Sequence, residues 1–406
     1  MSESDSTKVY NNYVRANLPN GMSYDTGTGL YDINNHSFFS FKNSNWYYKY
    51  ISKYGYSASS EKPSGSAYAV IGFEPSLVFD FKSNYYRKIS NDSTFAASIT
   101  HTRASSATMV NSSGSLVTVG TNVPRIGHHI YNGSAWVNEG ILHESEARTN
   151  LLLNSGTLST QSATVAAVPN TFSFTGTGTV TLTGVSTAGP LVGTGTGENN
   201  RVSLTFTPTA GTLTLSVSGT VTNAQLEAGS TPSSYIPTTG ATVTRAADLL
   251  TVPAANLPYD STNVSIQIDG KMTYADTSNI NEVQPYNWQL NGSNYIIARV
   301  GTTGFRTGQP SFLQSQTTSG NDFVNGASAT YSPDVNVSFN FASRHGDTFI
   351  NGSVDGTLLT ANTTPTILPD LSSTILRLGS TFMGTIGQFR MWDEDLTDAG
   401  ITEAST

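Results

Sequence analysis

Residues 281–300 read NEVQPYNWQLNGSNYIIARV and gather the groups in this chain best suited to holding a sugar. A glycan site needs a flat aromatic against the apolar face of a pyranose ring, with amide and charged groups for the hydroxyls. Tyr286, Asn291, Asn294, Tyr295 and Arg299 supply both within one short stretch. Trp288 alternates in register with Leu290, which assigns it to a core face, whereas Tyr286 and the 291–294 turn read as surface. Acids are dense at Asp393, Glu394, Asp395 and Asp398, and a glycosidase needs two carboxylates across the scissile bond. Those four fall where a short terminal helix is expected, with acids favourably placed against its dipole. His128, His129 and His143 are metal-ligand types, but the chain has no cysteine and no i,i+4 helical spacing links them. No metal and no cofactor is therefore expected. G-x-S-x-G, P-loop and HExxH motifs are absent.

The elements that would carry these groups are strands. FSFTGTGTVTLTG and RVSLTFTPTAGTLTLSVSGTVTNAQLEAG alternate apolar and polar residues with period two, broken by glycine-containing turns. Residues 151–246 thus read as one low-charge β-sandwich. Phe172, Phe174, Val180 and Leu182 share one face, Val202, Leu204 and Phe206 another, and Leu213, Leu215 and Val217 a third. Residues 247–406 read as a second sandwich, with strands at 265–268, 287–290, 295–300, 335–341, 347–350, 353–354, 375–378 and 386–392. Asn351-Gly352 and Asp355-Gly356 both suit tight type I′ hairpin turns, whose central residues need positive φ. Leu376, Leu378, Ile386, Phe389 and Trp392 are expected to pack inward. Residues 77–150 hold strands at 77–81, 107–110 and 115–119, with a turn at 111–114.

Residues 1–76 differ in composition. Twelve of the 19 tyrosines precede residue 90, and Trp46, Tyr47, Tyr48, Tyr50, Tyr54 and Tyr56 form a dense cluster. Tyrosine offers a large contact area with a polar tip suited to a wet boundary. Such a block suggests docking onto another protein.

The segments PRIGHHIYNGSAWVNEGILHESEARTNLLLNS (124–155) and QLEAGSTPSSYIPTTGATVTRAAD (225–248) resemble the junctions in a family of tailed-bacteriophage virion proteins. Those are tail-fibre, tailspike and head-fibre chains that carry lectin-like sandwiches, and the resemblance covers residues 77–406. It implies a mainly β chain of tandem antiparallel β-sandwiches, jelly-roll and then concanavalin A/laminin-G-like, after an N-terminal virion-attachment block. The expected order is attachment block 1–76, β-rich junction 77–150, Thr/Gly-rich sandwich 151–246 and lectin-like sandwich 247–406. Arg103, Arg125, Glu144 and Arg148 match the family's polar junction positions, where buried Arg–carboxylate pairs would fix the crossing of two segments. The laminarinase-like branch of the lectin fold carries its carboxylates as Glu-x-Asp-x-x-Glu, a spacing found nowhere in this chain. The implied function is a non-enzymatic virion structural protein that attaches by its N-terminus and binds a host-surface glycan. A purely architectural head-fibre, decoration or tail-adaptor role, and more remotely a glycan depolymerase, stay open.

Composition agrees with this class. Only 12% of the 406 residues are charged, about half the usual share. With no cysteine, disulfides are excluded. The start MSESDSTKVY has neither the basic nor the apolar region of a signal peptide. No run of about 18 apolar residues is present, so membrane insertion is not expected. Net charge is partitioned: residues 247–406 carry six basic and fifteen acidic side chains, while residues 1–90 are slightly basic. An acidic C-terminal half opposes nucleic acid as a partner. The expected partners are other virion proteins, further copies of this chain and a host cell-surface glycan. Low-charge sandwiches with exposed strand edges favour oligomerisation; the fibre resemblance implies a trimer, though no heptad run encodes one.

Overall fold

A computed structural model describes residues 67–89, 91–275, 282–316 and 320–406. The cluster Trp46, Tyr47, Tyr48, Tyr50, Tyr54 and Tyr56, expected to attach the protein, lies outside the described residues. From Ser76 onward the chain forms one unit built of antiparallel sheets.

The alternation in residues 161–228 produces a sandwich of two sheets. One contains Gln161–Val165, Gly211–Ser218, Thr179–Gly184 and Leu191–Val192, and the other Val202–Phe206, Asn170–Gly176 and Val221–Ala228. Phe172 and Phe174 from one sheet meet Val180, Leu182, Leu213 and Leu215 from the other in one core. Polar Thr and Ser occupy the alternate positions, exposed on Thr179–Gly184 but buried at Thr171, Ser173 and Thr175, where side-chain hydrogen bonds satisfy them.

The C-terminal sandwich is larger than residues 247–406. Its seven-stranded sheet runs Gly320–Asn325, Pro310–Gln316, Asn294–Gly301, Glu282–Asn291, Leu376–Thr381, Leu249–Val252, Thr100–Thr102. In the ten-stranded sheet, Met383–Trp392 lies between Asn263–Tyr274 and Leu77–Asp80, and Ile141–Glu144 pairs with its other half. Strands from the 77–150 segment therefore complete both sheets of the C-terminal sandwich, and the Thr-rich sandwich is inserted between them in sequence. Two short hairpins, Ala107–Val110 with Leu116–Val119 and His129–Tyr131 with Trp136–Asn138, are what remains of a separate junction. One core joins the two large sheets: Phe79 stacks on Phe389 at 6.1 Å, and Trp288 donates from Nε1 to the Thr374 carbonyl at 3.0 Å.

Two local expectations differ from the structure. Asn351-Gly352 is not a turn; it lies fully inside the strand Ile350–Val354, and a Cβ on Gly352 would sit 2.0 Å from the Phe312 ring. Glycine is needed there for close approach, while Asp355-Gly356, at φ 47° and 75°, makes the hairpin turn. The terminal helix is Thr397–Ala404, so Asp393 to Asp395 precede it. Asp395 and Asp398 instead hold Arg344, at 2.9 and 3.1 Å.

The two sandwiches and the junction meet at a buried cluster of charge. Asp248 accepts from Arg103 Nη1 at 3.0 Å, from Arg125 Nη2 and from the Glu144 backbone N–H at 2.9 Å, with His101 Nε2 3.3 Å away. Glu144 accepts from Arg125 Nη1 at 2.7 Å and from both the N–H and hydroxyl of Ser234, with Arg245 Nε in ion-pair range at 3.1 Å. Burial alone would raise both carboxyls. These partners outweigh it and hold Glu144 at about 2 and Asp248 far below the usual carboxylate range. Ser234 belongs to the loop leaving the Thr-rich sandwich, so Glu144 ties that loop to the strand beside Met383–Trp392. Arg148 does not pair with Glu144, the carboxylate of its own junction segment. It bonds Glu146 through Nε at 3.0 Å and the Ala228 carbonyl at 2.6 Å, because its strand Arg148–Asn150 has turned toward Val243–Arg245.

Glu144→Ala leaves Arg245 buried without a carboxylate and Arg125 with Asp248 alone, and is expected to cost about 3–5 kcal/mol. Arg148→Ala, whose partner Glu146 is partly solvated, should cost less. Denaturant unfolding of the two variants side by side checks the order.

Stability should also depend on pH before the carboxylates titrate. Burial holds His143 and His345 neutral, at about 4 and about 3 against an ordinary 6.5. The unfolded chain binds these two protons first as pH falls, so stability is full above pH 6.5 and declines toward pH 4. The slope is at most about 3 kcal/mol per pH unit for the pair. The melting temperature is expected to drop between pH 7 and 4, and less steeply in His345→Gln; a flat profile to pH 5 contradicts the assignment.

Candidate functional site

The seven-stranded sheet has one face in the main core and one outside it. On the strand Asn294–Gly301, Ile296, Ala298 and Val300 point into the core, so Tyr295, Ile297 and Arg299 share the outer face. Cross-strand register extends that face into rows. Arg377, Asn287, Ile297, Leu313 and Phe323 form one, Gln289, Tyr295, Ser315 and Asn321 a second, and Arg299, Ser311 and Asn325 a third. Tyr295, Ile297 and Leu313 make a small apolar cluster of their own, with Phe323 54% exposed beside it.

Polar side chains line the same face. Arg299 Nη1 donates to Glu282 Oε2 at 2.8 Å, Gln284 Nε2 donates to Glu282 Oε1, and Asn287 Nδ2 donates to Gln284 Oε1 at 2.9 Å. At the Arg299 end is a cavity of about 230 Å³ lined by Glu282, Arg299, Thr303, Arg306, Gln309 and Ser311. Phe305 stands beside it, 80% exposed, with the Arg306 guanidinium 5.4 Å from its ring centroid. The loop bearing them is rigidly tied. Gly308 N–H donates to Gly301 O at 2.8 Å and Gly301 N–H to Gln309 O at 3.0 Å. Gly308 adopts φ 73°, and a Cβ there would lie 1.9 Å from the Tyr331 carbonyl oxygen. Arg306 makes no ion pair among the described residues. The arrangement offers an aromatic face, two guanidinium groups, a carboxylate and several amides around a small hollow, which is chemistry suited to binding hydroxyls.

Of the sequence-chosen residues, Arg299 lies half-buried on this face and Asn291 and Asn294 on the hairpin turn at one end of it, whereas Tyr295, on the same face, is only 8% exposed and packs against Ile297 and Leu313 instead of offering its ring to a ligand. Asn291 is exposed and accepts from the Ser293 N–H at 2.9 Å and from Asn294 Nδ2 at 3.2 Å. Tyr286 requires a correction: it is fully buried in the main core, with its hydroxyl 2.7 Å from Ser343 Oγ, and burial raises its pKa. The alternation that pairs Trp288 with Leu290 extends back to Tyr286, so all three share the inward parity; Leu290 escapes only by lying near the strand end. Phe305, Arg306, Glu282 and Phe323 were missed. Glu282 sits in the quoted segment, and the glycines of GTTGFRTG flag a tight loop that must display its aromatic.

Arg103, Arg125 and Glu144 lie in the buried cluster, with Arg148 in the adjoining network around Glu146 and Glu227. The partners that sequence reading left out, Ser234, Arg245 and Asp248, all fall inside the 225–248 segment. The three histidines are not gathered on a common centre. His128 Nδ1 accepts from Val110 N–H at 3.2 Å, His129 Nδ1 lies 2.8 Å from Gly127 O, and His143 Nε2 lies 2.9 Å from Gly379 O. Among the described residues no group of three or more His, Asp or Glu is placed to hold a metal ion.

No family model and no curated protein matches this chain. Among solved structures it is similar to a leech intramolecular trans-sialidase, at 16% identity and a TM-score of 0.29 over 36% of this chain and 23% of that one. It is also similar to the CBM40 module of the Ruminococcus gnavus IT-sialidase, at 12% identity and a TM-score of 0.29 over 36% and 84%. The botulinum neurotoxin serotype D binding domain gives 15% identity and a TM-score of 0.30 over 38% and 39%. This chain thus spans about a quarter of the leech enzyme's length.

Gly308→Ala places a Cβ against the Tyr331 carbonyl at a positive φ. It is expected to displace the Phe305 loop and lower stability by about 1–3 kcal/mol, whereas Gly304→Ala, with open space around its Cβ, should cost less. Thermal unfolding of both variants checks this.

Proposed function

We propose that this protein is a non-enzymatic part of a bacteriophage virion, of the tail-fibre or spike type. It attaches by its N-terminal block, and the outer face of its seven-stranded sheet binds a host-surface glycan. The observation that carries the glycan reading is the grouping at one end of that face. An 80% exposed Phe305 stands beside a hollow lined by Arg299, Arg306, Glu282 and Gln309. An aromatic this exposed contributes nothing to the core, and a loop tied at Gly301 and Gly308 holds it in place. A sugar ring stacked on Phe305 would put its hydroxyls within reach of the guanidinium, carboxylate and amide groups behind it.

The virion part of the reading rests on the segments 124–155 and 225–248. The low charge and absence of cysteine support it, since such a protein assembles in a reducing cytoplasm and is exposed on the particle. The binding-only part is supported by the dense C-terminal acids, which are engaged in structure: Asp395 and Asp398 hold Arg344, and Asp398 also accepts from Asn351 Nδ2 at 2.9 Å. Exposed strand edges support assembly with further copies of the chain, with a trimer as the favoured symmetry.

Phe305→Ala in the full chain is expected to weaken binding to a panel of bacterial surface polysaccharides by roughly thirtyfold, the effect of about 2 kcal/mol at an aromatic anchor. Its melting temperature should not move, and Arg299→Ala should weaken binding as well. Unchanged binding in both variants, together with normal incorporation into particles, would favour the purely architectural role.

A further inference from the structure

A second cleft, of about 370 Å³, opens where the two junction hairpins, residues 198–203 of the Thr-rich sandwich and residues 335–336 of the C-terminal sandwich come together. This is within the size range of small-ligand sites, about 300–1,000 Å³. It shares no lining residue with the hollow beside Phe305.

The hairpin of His129–Tyr131 and Trp136–Asn138 turns at 132–135, where Asn132 Oδ1 accepts from the Ser134 and Ala135 N–H groups at 3.0 and 2.9 Å. That tight turn brings Tyr131 and Trp136 opposite one another, with ring centroids 5.3 Å apart. The tip of the neighbouring hairpin fixes the indole. Gly114 adopts φ 76°, and a Cβ on it would lie 2.3 Å from the Trp136 ring. Tyr131 is 37% exposed. Among the described residues neither the indole Nε1–H nor the Tyr131 hydroxyl has a hydrogen-bond partner. The cross-strand pairing steadies the hairpin, and it also presents what a carbohydrate site uses, ring faces for the apolar side of a pyranose and polar tips for its hydroxyls.

The groups deeper in the cleft are of the matching kind. His128 Nδ1 accepts from the Val110 N–H, so the ring proton is on Nε2 and is available as a donor. Burial and the nearby Arg125 lower its pKa to about 4, so it donates as a neutral ring at ordinary pH. Across the cleft, Arg201 is held by the Ser233 carbonyl and Ser173 Oγ, each at 2.8 Å, and makes no ion pair among the described residues. Glu198 accepts from Asn223 Nδ2 at 3.1 Å through Oε1, leaving Oε2 as an acceptor. A cation and a carboxylate on one wall suit adjacent sugar hydroxyls, which donate to one and accept from the other. Asn336 also lines the cleft.

We infer that this cleft is a second glycan-binding site, which stacks a sugar ring on Trp136 and Tyr131 and holds its hydroxyls with His128, Glu198 and Arg201. Two glycan sites on one rigid unit would let a long surface polysaccharide be held at two points, raising avidity without a tighter contact at either. This inference presupposes a glycan-binding role but not the Phe305 site.

The test uses the full chain on an array of bacterial surface polysaccharides and their di- to tetrasaccharide fragments, with Trp136→Ala, Tyr131→Ala, Trp136→Phe and Phe305→Ala beside the unaltered protein. Trp136→Ala is expected to lose at least tenfold in binding to a set of fragments that Phe305→Ala still binds. Trp136→Phe should keep most of it, and the melting temperature should stay within a few degrees. If Trp136→Ala proves unfolded, Tyr131→Ala gives the same reading, since its exposed side chain is not needed for the fold. Array binding unchanged in the aromatic-to-alanine cleft variants overturns the cleft site while leaving the Phe305 site standing. Loss in the cleft variants alone upholds the cleft and removes the Phe305 site. Loss of self-association in Trp136→Ala, with no fragment bound by the unaltered protein, overturns the inference in favour of a contact between copies of the chain.

Discussion

Everything else in this unit is arranged around the pair of buried carboxylates, Glu144 and Asp248. Burying a carboxylate costs several kcal/mol unless its oxygens are fully occupied. Here Arg103, Arg125, Arg245, His101, Ser234 and the Glu144 backbone N–H occupy them. The donors arrive from both sides of the Thr-rich sandwich in sequence. Residues 101–125 precede it, Ser234 leaves it, and Arg245 and Asp248 lead into the C-terminal sheets. The cluster can be satisfied only when the chain has completed that excursion and returned. It therefore acts less as a source of stability than as a condition on the path, since a mispaired arrangement would strand charge in a dry interior.

That condition explains why a chain so poor in charge gathers three arginines and two acids in this one buried cluster. The Thr-rich sandwich has a small core, and its strands end in loops that would otherwise leave it hinged on two segments. Glu144 holds the Ser234 loop against the strand that pairs with Met383–Trp392, and the Glu227–Ser233–Gln225 bonds keep that loop closed. Of the two candidate glycan sites, one depends on the result. The outer face of the seven-stranded sheet needs only its own sandwich, but the Trp136 cleft has walls from all three parts and exists only while they are held together.

Much of the architecture can be read from the sequence because period-two alternation with glycine turns is a local signal. The strands at 170–176 and 211–218 follow from it directly, as does 386–392, the greater part of Met383–Trp392. Asp355-Gly356 is legible as a turn, while Asn351-Gly352 carries the same local signal and is overridden by Phe312 packing from the opposite sheet. Pairing across the inserted sandwich is not local, so nothing in residues 77–81 announces that they join a sheet finished some 300 residues later. At the site, Tyr295 and Arg299 are legible from composition and parity. Tyr286 was misread because its place in a polar-looking segment was given more weight than its parity with Trp288. Phe305 carries a weak signal, one aromatic between glycines, and Trp136 needs the neighbouring Gly114 turn before its display has meaning.

The coupling of the two sandwiches through buried charge is tested most directly by hydrogen exchange under increasing denaturant, followed in peptides covering Asn170–Gly176 and Met383–Trp392. If the cluster makes one cooperative unit, both peptides lose protection in a common opening with the same free energy and the same denaturant dependence. Separate openings, with the Thr-rich strand exchanging well before Met383–Trp392, would mean that the sandwiches are independent and that the buried charges do not govern the fold.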